Sequence, residues 1–127
     1  MNYSDQDIAR QLLLGEDSHW EFKQIAFSGT RPTSPRRDDL ADEIAAFANA
    51  NGGMLLCGVT DAGEIQGLSR EQIVALDSVL VEVSSDAIKP AVRINTYHRE
   101  LDGKRLLLVE VPQGESQHDS PGGSYVR

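Results

Sequence analysis

Met54 to Val59 form an unbroken apolar run of strand length. A strand that met water on one face would alternate apolar and polar residues, so this one needs cover on both faces. It is therefore expected at the centre of a sheet. Upstream, Leu40, Ile44 and Phe47 recur at helical spacing and give one apolar stripe leading toward the run. Between the two stands Asn51-Gly52-Gly53, whose residues accept positive φ and so end a helix and reverse the chain. Downstream, Thr60-Asp61-Ala62-Gly63 is turn chemistry, with Asp61 able to bond backbone amides, and Ile65 and Gly67 are expected to continue a second, shorter strand. Helix end, reversal, central strand, turn and return thus occupy Phe47 to Gly67, and the fold hinges there.

A chain of 127 residues is one domain with room for a proper core. Its 39% apolar and 25% charged residues describe an ordinary soluble globular protein. No apolar run approaches the roughly 20 residues that a membrane span needs, and Met1 is followed by polar residues through Asp7 rather than by a secretory signal. A cytoplasmic location is the default expectation, with no membrane partner. The single cysteine, Cys57, excludes intramolecular disulfides and any cysteine-based zinc site. The net charge of −8 opposes general attraction to phosphate, so nucleic-acid contact would have to come from a local basic patch.

In chain order, Ser4 is expected to cap a helix from Asp5 to Leu14 that buries Ile8, Leu12 and Leu13 and stops at Gly15. Trp20 and Phe22 alternate with polar neighbours as in a half-buried strand. Ser28 to Arg37 has two prolines, a glycine, three arginines and no acid, which predicts a mobile basic loop. A helix from about Asp38 to Asn51 follows. Ser69 and Gln72 make a capping box for another, with Ile73, Leu76, Leu80, Val83 and Ala87 as its buried stripe and Pro90 as its limit. Residues 91–99 and 104–111 read as a hairpin over Asp102-Gly103, 113–121 as a polar loop, and Tyr125 to Arg127 as the start of a strand. Strands and helices mixed out of strict alternation predict an α+β fold: one central, mostly antiparallel sheet with about three helices against it.

Three blocks occur together in order: Glu21-Phe22-Lys23; Ala46-Phe47-Ala48-Asn49 with Asn51-Gly52-Gly53; and Gly58-Val59-x-Asp61-x-Gly63-x-Ile65-x-Gly67. With Val111-Pro112 and Tyr125-Val126-Arg127, they resemble the Schlafen AlbA-type domain over nearly the whole chain, residues 1–127. That family is described as DNA-binding, was once grouped as divergent AAA, and often precedes winged-helix regions in bacterial proteins. The resemblance implies a nucleic-acid-binding domain of a bacterial transcriptional-regulator-like protein, of which this chain is the N-terminal part. His118-Asp119-Ser120-Pro121 departs from the proline–aromatic pair that related domains place before the tyrosine.

Three constellations bear on chemistry. If the first strand pairs with the central one, Glu16, Glu21 and Asp61 could converge at one sheet edge and hold Mg²⁺ or Mn²⁺. The same three match the acidic triad of nuclease-active Schlafen proteins, so the resemblance implies a metal-dependent ribonuclease as the alternative function. Without it, Glu16 is a connector residue and Asp61 a turn residue. The basic candidates for nucleic-acid contact are Lys23, Arg31, Arg36, Arg37, Arg93, Arg99, Lys104 and Arg105; against them, they merely balance an acidic surface. Gly58 to Gly63 mimics the opening of a phosphate-binding loop but has Glu64-Ile65 where Lys-Ser/Thr is required, which argues against ATP hydrolysis. A third class, an interaction domain forming a homodimer, is open through the exposed hairpin.

Overall fold

Two of the three helices of the described residues begin at side-chain caps. Ser4 accepts a hydrogen bond from the Asp7 amide while Asp7 accepts one from the Ser4 amide, and α1 (Asp5–Leu14) follows. This reciprocal pair satisfies amides that a helix start otherwise leaves without partners. It also holds the Asp7 carboxyl below its usual range, first through the Ser4 backbone bond. α2 (Arg37–Asn49) has no side-chain cap at Arg36, and Asp38 and Asp39 instead place negative charge at its positive end. Ser69 and Gln72 repeat the reciprocal pair at the head of α3 (Arg70–Asp86). The structure, a computed structural model, describes residues 3–114 and 116–124. The strand expected at Tyr125 to Arg127 lies outside the described residues.

The strands, in chain order, are β1 (Trp20–Lys23), β2 (Ala26–Ser28), β3 (Arg31–Ser34), β4 (Gly53–Cys57), β5 (Asn95–Leu101), β6 (Lys104–Val111), β7 (Asp119–Ser120) and β8 (Gly123–Ser124). Four of them make the central sheet in the order β1-β4-β6-β5, in which only the β1–β4 pair is parallel. The α+β class and the mostly antiparallel sheet are as the sequence predicts. The apolar run lies in β4, and its residues alternate between two cores. Leu55 and Cys57 join Leu107 and Val109 under α2 and α3, with Ile44, Phe47, Leu76 and Leu80 against them. Met54 and Leu56 join Trp20, Phe22, Leu106 and Leu108 on the other face, closed by Ile8 of α1. Each fully buried aliphatic side chain contributes about 1.5–3 kcal/mol, so β4 anchors both layers at once.

Four expectations need correction. Leu13 is 90% exposed, because α1 covers its sheet face through Ile8 with Leu12 at the margin. Ile65 meets Val59 in one isolated bridge rather than continuing a strand, and the side chain of Gln66 turns instead to the backbone of Ile25, bonding its amide and its carbonyl (2.8 and 2.9 Å). The predicted basic loop is the β2–β3 hairpin, and Gln72 of α3 donates to the Gly29 carbonyl at its turn (3.1 Å). The polar stretch 113–121 contains β7 and a buried His118, whose amide donates to Asn49 Oδ1 (2.7 Å) while Asn49 Nδ2 donates to the His118 carbonyl (2.8 Å). In the last two cases backbone partners distant in sequence impose order on polar residues.

The reversal into β4 leaves no room for side chains. Gly52 has φ +74°, and a Cβ there would meet the Val111 carbonyl oxygen at 2.6 Å and the Gln113 nitrogen at 2.9 Å. A Cβ on Gly53 would strike the ring of Phe47. Gly52→Ala combines an unfavourable φ with an immovable backbone contact, so it is expected to lower stability by about 1–3 kcal/mol or more. Urea denaturation reads this as a fall in midpoint, whereas Gly103→Ala, with nothing within 4 Å of the added Cβ, shows only the smaller cost of its positive φ.

Candidate functional site

β1 and β4 do pair, but the three predicted carboxylates leave that pair in different directions. Glu16 lies in the connector after α1, and its carboxylate accepts the Phe22 amide at 2.8 Å. Phe22 is on the outermost strand, so Glu16 covers a polar group on the open sheet edge. Asp17 extends the seal: its amide donates to the Trp20 carbonyl (3.0 Å), and its carboxylate accepts the amides of His19 and Trp20 (2.8 and 3.0 Å). Glu21 lies on the α2 side of β1 with Lys23, whose ammonium stands 3.6 Å from Glu21 and 2.9 Å from Glu43 of α2. Asp61 is exposed in the turn beyond β4. Among the described residues no three His, Cys, Asp or Glu side chains are grouped to hold a metal ion. Mg²⁺ or Mn²⁺ needs oxygens converging at roughly 2.0–2.6 Å. Glu16, Glu21 and Asp61 are not grouped in that way: one oxygen of Glu16 faces an edge amide, one of Glu21 faces the Lys23 ammonium, and Asp61 stands in the turn.

Lys23 is thus a structural cation. Burial alone would push its pKa down, but the hydrogen bond and charge of Glu43, then those of Glu21, outweigh burial and leave it raised above the ordinary 10.5. Cys57 is its neighbour in register on β4. Burial pushes that thiol up to about 12, only partly offset by the Lys23 charge, so it stays protonated and inert at neutral pH.

The remaining basic residues fall into separate places. Arg31, Arg36 and Arg37 come together around one hollow of about 450 Å³, where β3 turns into α2 against Val79 of α3. Arg31 makes no ion pair with a described residue. Arg36 meets Asp39 at 3.7 Å and Arg37 meets Glu82 at 2.8 Å, both in largely exposed pairs. Pairs of that kind are worth about 0–1 kcal/mol, so both guanidiniums are readily released to another anion. Lys104 and Arg105 flank the tip of the β5–β6 hairpin, also without an ion pair among the described residues. Arg105 shares a second groove, of about 290 Å³, with His98, Glu100 and Arg70 at the head of α3. Arg93 lines a third hollow near Ser84 and Val92. Arg99 belongs to the opposite sheet face, where it bonds Asp5 (2.5 Å) and the Tyr3 carbonyl (2.6 Å).

Sequence reasoning missed Arg70, Glu43 and Asp77. Arg70 reads as an unremarked first-turn residue, and only the pairing of Leu68 with Arg105 carries it to the hairpin. Glu43 follows the helical face of Leu40 and Phe47, so its proximity to Lys23 was in principle open to inspection. Asp77 bonds Thr96 Oγ1 and His98 Nε2 at 2.9 Å each, a contact between α3 and β5 with no local signature.

The family model described as Schlafen, AlbA_2 matches residues 16–127. The DIP2311 protein of Corynebacterium diphtheriae is similar in structure with a TM-score of 0.61 and 24% identity, over 87% of this chain. The chain spans only 20% of that protein's length. The N-terminal domain of a RecG-related protein from Nitrosomonas europaea, named as a candidate ATP-dependent DNA helicase, is similar with a TM-score of 0.58 and 25% identity, over 98% of this chain and 88% of that domain. No curated protein matches the chain.

Removing the ammonium from between two carboxylates tests the electrostatics of the site. Lys23→Met is expected to cost about 1.5–3 kcal/mol at neutral pH, the range for a hydrogen bond to a charged group. Because the folded pKa is raised, the stabilisation is fully present below 10.5 and is lost as pH rises through the folded value. Denaturation of wild type and variant across neutral to alkaline pH should show the difference narrowing only above about pH 10.5.

Proposed function

The chain belongs to the Schlafen, AlbA_2 family, and from that membership we propose that it is the nucleic-acid-binding module of a longer, cytoplasmic, regulator-like bacterial protein. Duplex DNA is the first ligand to test, in keeping with the name of the Nitrosomonas neighbour. The observation that carries the reading is the meeting of Arg31, Arg36 and Arg37 at one hollow, on a chain whose net charge of −8 otherwise repels phosphate. Guanidiniums on a hairpin and at a helix start reach a phosphodiester backbone and hold it by paired N–H donors. Contact of this kind positions nucleic acid without reading sequence. Three phenylalanines, three tyrosines and one tryptophan in the whole chain offer little for base stacking. Lys104 and Arg105 make a second foothold at the hairpin tip. The acidic residues Glu16 and Glu21 have structural roles in this reading, at the sheet edge and beside Lys23.

Fluorescence anisotropy with labelled duplex DNA, single-stranded RNA and tRNA across a salt series tests the proposal. Affinity for the ligand should fall linearly on a log–log plot, with a slope near −0.9 per phosphate contacted on duplex DNA. Arg31→Ala/Arg36→Ala/Arg37→Ala should weaken all sequences alike and reduce that slope by up to about one per contact removed. An unchanged slope and affinity would take the hollow out of the interface. The same nucleic acids should stay intact in Mn²⁺; cleavage that needs the metal and vanishes in Glu21→Ala would replace the binding module with the ribonuclease alternative.

A further inference from the structure

The two edges of the central sheet are treated differently. At the β1 edge, the Glu16 carboxylate takes the Phe22 amide and the Asp17 amide takes the Trp20 carbonyl, so an added strand finds these groups occupied. At the β5 edge nothing comparable occurs. The two-residue turn at Asp102-Gly103 makes Leu101 and Lys104 a hydrogen-bonded pair, so Arg99, Tyr97 and Asn95 also bond inward to β6. The N–H and C=O groups of Thr96, His98 and Glu100 consequently point outward, and no described residue bonds them. β5 has neither proline nor bulge along its seven residues, and its pairing with β6 is unbroken. Arg99 and Glu100 are the charged residues of this strand, each with an opposite charge in its own chain, and an open edge of this length is a template for another strand.

A second, independent feature lies beside it. Val74 and Val81 of α3 are 53% and 50% exposed, among the most exposed large apolar residues of the protein. They stand three and four residues from Asp77, on one stripe of the helix, and Asp77 is the residue that bonds Thr96 and His98 of β5. The open backbone edge and the open apolar stripe are therefore adjacent.

We propose that β5 is the interface of a homodimer, in which two copies of the chain pair antiparallel about a two-fold axis at His98. In this register all seven residues of each strand overlap. Thr96 faces Glu100 of the second copy, and His98 faces its own counterpart, giving three hydrogen-bonded pairs. On the opposite face Tyr97 lies against Arg99 of the second copy, an aromatic–guanidinium contact made twice. The Arg99 charge is already balanced by Asp5, Glu100 has Arg105 opposite it within its own hairpin, and the Asp77 carboxylate that each copy brings toward the axis is held by Thr96 and His98 of its own chain. A two-fold axis perpendicular to the sheet keeps both α3 helices on the same side, so Val74 and Val81 of one copy meet those of the other. The occupant is a second copy because in this register each outward N–H and C=O of β5 meets its counterpart on an identical strand, Tyr97 meets Arg99, and the charged residues of the edge are already balanced within each chain. The inference stands apart from the nucleic-acid reading.

Sedimentation equilibrium of the intact protein without nucleic acid tests it, with amide hydrogen exchange on the same samples. The mass should move from one chain to two with rising concentration. The Thr96, His98 and Glu100 amides should gain protection in step, while those of Tyr97 and Arg99 stay protected throughout. Two chains carrying −8 each repel, so added salt should strengthen the dimer, opposite in sign to its effect on phosphate binding. Val74→Lys/Val81→Lys, which leaves the β5 backbone untouched, and His98→Pro, which removes the central outward amide, should both hold the mass at one chain with unchanged circular dichroism. If His98→Pro unfolds, the valine variant and the wild-type exchange pattern decide. One-chain mass at every concentration overturns the proposal. So does a dimer in which those three amides exchange as fast as in the monomer.

Discussion

β4 can be covered on both faces only because the chain enters it through a reversal without side chains. Gly52 passes against the backbone of Val111 and Gln113, and Gly53 packs under the ring of Phe47. That close approach sets α2 directly over the strand it precedes. Leu40, Ile44 and Phe47 then meet Leu55 and Cys57, and α3 closes the same layer. The opposite layer depends on the same strand, since Met54 and Leu56 are the residues on which Trp20, Phe22 and Ile8 assemble. Loss of the reversal would misplace both cores together.

The acidic residues show how edge protection and electrostatics divide one type of side chain. Glu16 and Asp17 act on backbone amides at the β1 edge, where an unsatisfied donor invites another strand. Glu21 and Glu43 act on Lys23, a partly covered cation whose charge they favour against the cost of burial. The carboxylates that a motif groups by spacing are thus separated by the partners each finds in three dimensions.

Positive charge is distributed by the same logic. Lys23 and Arg99 lie against the sheet and are held by acids there, while Arg31, Arg36 and Arg37 project from the β3–α2 junction, where solvent leaves ion pairs weak. Proximity at a single hollow, rather than composition, makes these three a candidate phosphate-binding surface. A net charge of −8 opposes such contact wherever basic residues are not gathered locally.

The Ser4 cap, the Ser69 capping box, the central strand, the α2 stripe and the hairpin over Asp102-Gly103 were all legible in the sequence. Each rests on interactions between residues a few positions apart: caps, turns, and the periodicity of burial. The fold class and the family blocks followed from them. The β2–β3 hairpin, the ordering of 116–120 by Asn49, and the exposure of Leu13 were not legible, because each depends on a partner far along the chain or on the limited area of one sheet face. The candidate site divides in the same way. The sequence by itself determined which residues carry charge and which strand is central, since local propensity and hydrophobic periodicity are properties of neighbours. Tertiary structure alone decided that Glu16 seals an edge, that Glu43 claims Lys23, and that three arginines share one hollow, because burial and pairing energies act between side chains only after the chain has brought them into contact.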